Sequence, residues 1–113
     1  MLRKLLFVAF SFALGFSCFG QKESIRNGVS WFDTDGNRIV AHGASILQHE
    51  GVYYMLGQDY SNDFFTIGVN LYSSTDLVNW TFLNTVINAD TNAEIASQQR
   101  ITVRPNLVYN KAT

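Results

Sequence analysis

Cysteine, proline and histidine are all scarce in this chain. Its 113 residues include one cysteine, Cys18, one proline, Pro105, and two histidines, His42 and His49. Because Cys18 lies in an apolar N-terminal stretch, the rest of the chain has no thiol for a disulfide or a thiolate metal site. The two histidines flank one expected strand with no third ligand nearby, which argues against zinc, and no cofactor is expected. Only 15% of the residues are charged, and beyond the N-terminal stretch the basic residues do not cluster, Arg100 and Arg104, like Lys22 and Arg26, standing four apart. The electrostatic footprint of a nucleic-acid or anionic-membrane partner is therefore missing. Also absent are a phosphate-cradling glycine loop, a helical His pair and a Ser-His-Asp order. No helix of useful length, low-complexity segment or internal repeat is expected.

What is present begins with a leader. Arg3 and Lys4 form a positive start, Leu5 to Phe16 is almost unbroken apolar sequence, and Cys18-Phe19-Gly20 ends in a small residue. This pattern predicts a secretory signal peptide over residues 1–20, too short for a membrane span and without a stop-transfer flank. The expected location is secreted or periplasmic. Lipid anchoring at Cys18 is an alternative, although Gly15 stands where an apolar residue is usual three positions before a lipidated cysteine. Without the leader, six Lys and Arg face nine Asp and Glu, a balance of −3. Residues 21–28 are polar and read as a loosely held lead-in.

From residue 29 onward the patterning is that of short strands. Val29 to Phe32 ends at Asp33-Thr34-Asp35-Gly36-Asn37, where Gly and Asn supply turn conformations, and Arg38 to Val40 resumes extended chain. An EF-type calcium loop does not fit, because the sixth position from Asp33 is Arg38 and no distal Glu follows. Ala44 to Gln48 and Val52 to Leu56 flank His49-Glu50-Gly51, a hairpin signal. The second run is apolar throughout and predicts a central strand covered on both faces. In Thr66 to Ser73, Ile67, Val69 and Leu71 recur with a period of two. The polar turn Ser73-Ser74-Thr75-Asp76 then leads to a strand from Trp80 to Leu83. Asn84 to Gln99 reads as loop, with one helical turn at Ala93–Ala96, and Arg100 to Asn110 as the first strand of a further sheet.

The fold class this predicts is all-β, with three meandering antiparallel strands and a fourth outer one making a single blade. Such a blade takes ~40–50 residues, so the chain has room for one blade and the opening of a second. It reads as the N-terminal part of something longer, and the strand edges of an unclosed blade invite association.

The string Trp31, Asp33 to Asn37, Ile39, Ala41-His42-Gly43, Tyr53-Tyr54, Gly57, Tyr72 to Trp80, Arg104-Pro105 and Tyr109-Asn110 resembles glycoside hydrolase family 43. Within that family it is similar to the branch of exo-β-1,3-galactanases. The resemblance runs from Trp31 to the end of the chain, its single pieces weak and their order and spacing more specific. It implies a five-bladed β-propeller, truncated here, whose N-terminal part occupies residues 29–113 and whose remaining blades are missing. The implied partner is a carbohydrate chain bound in the funnel. The implied activity is inverting hydrolysis by an acid and a base carboxylate ~6.5–9.5 Å apart.

Carried over residue by residue, the resemblance marks His42, Gln58 and Arg104 as candidate substrate-binding residues, and Asp59, which opens the polar loop Asp59 to Asp63 ahead of Phe64, is a fourth candidate as a residue bordering the ligand. His42 falls where most of the family has its base aspartate, which the galactanase-like branch also lacks. It reads equally as a sugar hydrogen-bonder or as a packed structural histidine. Gln58 stands where the galactanase-like pattern has an acidic residue after Tyr-Gly, and Val103 where it has one before Arg-Pro. Glutamine can still hydrogen-bond a hydroxyl, but it cannot act as a carboxylic acid. The family's proton donor is not among these residues. Trp31, Tyr60, Phe64 and Phe65 are candidates for a funnel rim, while Tyr53, Tyr54, Tyr72, Trp80 and Phe82 are expected to pack between sheets. Three readings follow: part of a glycosidase acting on β-galactan-type polysaccharides, a glycan-binding propeller without catalysis, or an inactive fragment.

Overall fold

The computed structural model describes residues 22–61, 65–88, 90–91 and 104–112. The expected leader over 1–20, the helical turn at Ala93–Ala96, Phe64, Arg100 and Val103 lie outside them. Four antiparallel strands form one sheet in the order β1-β2-β3-β4: β1 His42–His49, β2 Val52–Asp59, β3 Gly68–Ser74 and β4 Thr81–Asn88. Among the described residues there is no helix.

The meander follows from its turns. Glu50 and Gly51 join β1 to β2 with φ of 50° and 80°, and His49 pairs directly with Val52. A two-residue loop with both central residues at positive φ matches the twist of the flanking strands. β2 is central and its stretch from Met55 to Gln58 is buried, as its apolar run predicts. β4 runs to Asn88, five residues past its sequence-expected end at Leu83. Asn84 and Thr85 look like loop by composition, yet they pair with Leu71 and Asn70.

The β3–β4 turn is organised by two side chains. Ser74 Oγ accepts the backbone N–H groups of Asp76 and Leu77 at 3.2 and 2.9 Å. Asp76 Oδ1 in turn accepts Ser74 Oγ–H and the N–H groups of Val78 and Asn79 at 3.0, 2.9 and 2.7 Å. Leu77 is thereby held at φ 64°, where its carbonyl accepts the Trp80 indole N–H at 3.1 Å. The indole is buried against Met55 and Tyr72, with Trp31, Ile39, Ala41, Tyr53 and Leu77 packed around them.

Because side chains alternate across a strand, the register divides the sheet into two faces. Tyr53, Met55 and Gly57 share one face with Ser74, Tyr72 and Asn70. The chain preceding β1 covers that face. Its Asp33 turn closes as capping chemistry requires: Asp33 Oδ1 accepts the N–H groups of Asp35 and Asn37 at 3.0 and 2.8 Å. Beyond it, Val40 N–H donates to the Tyr72 hydroxyl at 3.1 Å, and Asn70 Nδ2 donates to Val40 O at 3.1 Å. Burial pushes the Tyr72 phenol up, opposed by its hydrogen bond to Val40 and helped by the charges of Asp59 and Asp33. Ala41 crosses directly above Gly57, where a Cβ would fall 2.5 Å from the Ala41 Cα.

Several expectations are corrected. The lead-in is docked: Lys22 N–H donates to Asn79 Oδ1 at 2.8 Å, Asn79 Nδ2 returns a bond to Lys22 O at 3.0 Å, and Lys22 Nζ donates to Phe32 O. The asparagine amide offers the backbone one donor and one acceptor, like a strand neighbour. Between Val29 and Val40 the only strand-like pairing is a single bridge, Phe32 to Arg38. Residues 104–110 form no strand. They lie over the face of β1, not along an edge, with Leu107 N–H on Ser45 Oγ at 3.1 Å and Tyr109 stacked on His49 at 4.1 Å. Phe82 meets Tyr72 edge-on at 5.4 Å but stays 41% exposed, because β4 is an outer strand.

Two outcomes are expected. Gly57→Ala forces the Ala41 backbone away from the sheet and lowers stability by about 1–3 kcal/mol, the usual cost of overpacking, measurable by chemical denaturation. At Asp76, the N–H groups of Asn79 hold the carboxyl well below the usual carboxylate range, with its side-chain amide and Val78 N–H adding. A folded-state pKa below the unfolded value stabilises above about pH 4 and is lost as pH falls toward the folded pKa. Asp76→Ala therefore lowers the melting temperature at neutral pH, and its deficit relative to wild type narrows in melts below pH ~4.

Candidate functional site

The start of β1 and the end of β2 meet at one end of the sheet, and three of the four candidate residues gather there. His42 pairs with Gln58 across the ladder, and an extra residue sits in β1 between His42 and Ser45. This bulge contains Gly43 at φ 57°. A bulge with a left-handed glycine re-aims the strand and is common beside active sites. Here it turns the His42 side chain onto Gln58, with His42 Nδ1 3.2 Å from Gln58 Oε1. Tyr60, from the rim set, closes on the His42 ring edge-on at 5.0 Å and 83°.

Gln58 is only 1% exposed. Its Oε1 faces His42, while its Nε2 is buried and has no hydrogen-bond partner. Gly43 is the hinge of the cluster. A Cβ there would lie 3.2 Å from Gln58 Oε1, 3.4 Å from Arg104 Cγ and 3.6 Å from Arg104 Cα. The missing side chain lets Arg104 approach the pair. Arg104 adopts φ 52° immediately before Pro105, a strained conformation for a residue other than glycine. Its side chain is exposed and makes no ion pair among the described residues. Gly43, Ala44 and Ser45 line an open groove of about 410 Å³ with Arg104, Pro105 and Asn106.

Asp59 is drawn elsewhere. It alternates to the opposite face of β2, where Oδ2 accepts Asn70 Nδ2 at 3.1 Å and Oδ1 accepts Ser61 N–H at 2.9 Å. Asn70 Oδ1 also accepts Thr85 Oγ1–H at 2.8 Å, so this carboxylate belongs to a polar network that ties β2, β3 and β4 together. Trp31 is corrected from the rim to the core: it packs on the Met55–Tyr72–Trp80 cluster, and its indole N–H donates to Arg26 O at 2.8 Å. Phe65 is 39% exposed. A second hollow of about 440 Å³, lined in part by Lys22, Arg26, Trp31 and Leu77, lies at the other end of the sheet and includes none of the four candidate substrate-binding residues.

Chemically, the cluster offers an imidazole, an unpaired amide donor and a guanidinium, but no carboxyl group. It can hold and orient hydroxyl groups, and it contains no acid for protonating a leaving oxygen. Among the described residues no three His, Cys, Asp or Glu side chains come together as metal ligands. None of the helix-free described region contains a helix long and apolar enough to cross a membrane. Sequence reasoning missed the roles of Gly43 and Asn70. For Gly43 a signal existed, a glycine interrupting the first turn of a strand beside a candidate histidine.

No family model and no curated protein sequence matches the chain. Solved structures do. A family 43 β-1,3-galactosidase solved with galactodeoxynojirimycin is 40% identical, with TM-score 0.68 over 77% of this chain and 26% of that one. The exo-β-1,3-galactanase of Phanerochaete chrysosporium with galactose is 37% identical, with TM-score 0.64 over 75% of this chain and 20% of that one. An exo-β-1,3-galactanase from Clostridium thermocellum is 39% identical, with TM-score 0.55 over 58% of this chain and 14% of that one. The chain therefore spans about a quarter or less of the solved structures it matches, and its four-stranded sheet corresponds to part of their β-propeller. On this similarity the chain is a glycoside hydrolase family 43-like fragment that resembles the exo-β-1,3-galactanases of that family.

Proposed function

We propose that this sheet is the first blade of an exported glycoside hydrolase that cleaves O-glycosidic bonds in β-galactans. The observation that carries this reading is the likeness to galactan-cleaving enzymes, combined with a hydroxyl-binding cluster at one end of the blade. One of those enzymes is solved with galactose and again with β-1,3-galactotriose. The Arg3-Lys4 start and the apolar run after it support export, with residues 1–20 removed as a leader and residues 29–113 forming the propeller part.

In this reading the blade binds and the rest of the propeller supplies the acid. His42 meets sugar hydroxyls with the buried Gln58 behind it, Arg104 borders the groove as a donor, and Asp59 acts from behind through Asn70. An inverting reaction requires two carboxyl groups on opposite sides of the sugar, and the cluster around His42 has none. A second reading, a glycan-binding propeller without turnover, is favoured by one specific feature. Gln58 occupies the place of a carboxylate in the galactanase-like pattern, and an amide neither donates as an acid nor accepts as an anion.

The test is a chimera in which residues 22–112 replace the matching blade of the Phanerochaete chrysosporium galactanase. Galactose release from β-1,3-galactan, faster in Gln58→Glu than in the unaltered chimera, is the expected result. Retained galactan binding with no release in either form selects the binding reading. A chimera that melts cooperatively but neither binds nor cleaves galactan overturns both.

A further inference from the structure

We infer that Gln58 is a positioning residue that holds His42 in the Nδ1–H tautomer, leaving His42 Nε2 as a bare acceptor for the O–H of a sugar hydroxyl. The tautomer follows from the orientation of the Gln58 amide, whose Oε1 faces His42 Nδ1. Only the choice of a sugar hydroxyl as the donor rests on the galactan reading.

The carbonyl oxygen of a glutamine amide can only accept. With Gln58 Oε1 3.2 Å from His42 Nδ1, the proton of that contact must sit on the imidazole. A neutral imidazole carries one proton, so Nε2 is left with a lone pair. The same logic governs histidines whose second nitrogen is fixed by a carbonyl or carboxylate behind them. Gln58 is well placed for this task, because its backbone is paired on both sides, to His42 in β1 and to Val69 in β3. His42 is itself exposed, so its ring has an open side, and Tyr60 packs edge-on against it.

The unpaired amide nitrogen strengthens the case. Among the described residues, the contact to His42 is the only hydrogen bond of the Gln58 side chain, and Nε2 stays buried without a partner. A buried donor left unsatisfied destabilises a fold. A methionine of similar volume would fill the same space without that cost, so packing alone does not account for a glutamine here. The contact to His42 does. Gly43 completes the arrangement, since any side chain at its position would press on Oε1.

The chain has two histidines, so selective ¹⁵N-histidine labelling gives two imidazole spin systems, and His49→Gln assigns them. In the full chain, at a pH where both rings are neutral, the ¹⁵N shifts of His42 are expected to show a protonated Nδ1 and an unprotonated Nε2. Gln58→Glu keeps an acceptor behind Nδ1 and preserves that pattern. Gln58→Met removes the acceptor and releases the ring to the Nε2–H form or to a mixture. An Nε2–H tautomer in the wild-type chain overturns the inference without any variant, as does an unchanged tautomer in a folded Gln58→Met chain. In the galactanase chimera, Gln58→Met is expected to weaken galactan binding about tenfold, the scale of one hydrogen bond, with Gln58→Glu restoring it. If the tautomer switches while affinity does not move, the acceptor role of Nε2 is overturned. Loss of all galactan affinity with the tautomer as inferred instead counts against the functional reading.

Discussion

The arrangement of this blade depends on how the backbone of Val40 and Ala41 is clamped to the face of β2 and β3. Tyr72 and Asn70 contribute the polar half of the clamp, one engaging Val40 N–H and the other Val40 O. Gly57 contributes the steric half by leaving room for Ala41. The next residue is His42, so the same clamp that shuts the core on one face sets where β1 begins. Hydrogen bonds buried in a low-dielectric interior are strong, and costly to leave half made. Asn70 meets that condition fully, with Val40, Asp59 and Thr85 satisfying its amide.

At the other end of the sheet the Ser74–Asp76 turn does comparable work without contributing to the candidate site. It converts the six-residue connection between β3 and β4 into a rigid support for Trp80, whose indole packs in the core. Asn79 extends that support to the lead-in through its paired bonds with Lys22. One end of the blade is therefore built for rigidity. The other, where the bulge at Gly43 brings His42, Gln58 and Arg104 together, carries an unsatisfied amide and a strained Arg104, and strain of this kind gathers at functional sites.

Much of this was legible in the sequence because turns and alternation are local. Glu50-Gly51, the Asp33 turn and the Ser74–Asp76 turn lie where composition places them, and the apolar run of β2 marks the central strand. The expectation for residues 104–110 failed because strand formation needs a partner edge. Val108 and Tyr109 have strand-like character, but the segment meets β1 through side chains. Trp31 was misplaced because a tryptophan beside a turn reads alike as rim or core until the crossing of residues 31–41 is known. The parting of Asp59 from Gln58 is a matter of strand alternation and could have been read in advance. The bond between Gln58 and His42 could not, because it depends on how far the one-residue bulge at Gly43 re-aims the His42 side chain.

The central claim is that the clamp on Val40 positions His42 against Gln58, and amide hydrogen exchange on Val40 tests it most directly. Removing one hydroxyl by Tyr72→Phe leaves the ring and its packing in place while deleting the acceptor for Val40 N–H. The account predicts faster exchange at Val40 and a simultaneous shift of the His42 ring signals, with Trp80 and the β3–β4 turn unaffected. Unchanged exchange at Val40, or a His42 signal indifferent to its loss of protection, would contradict it.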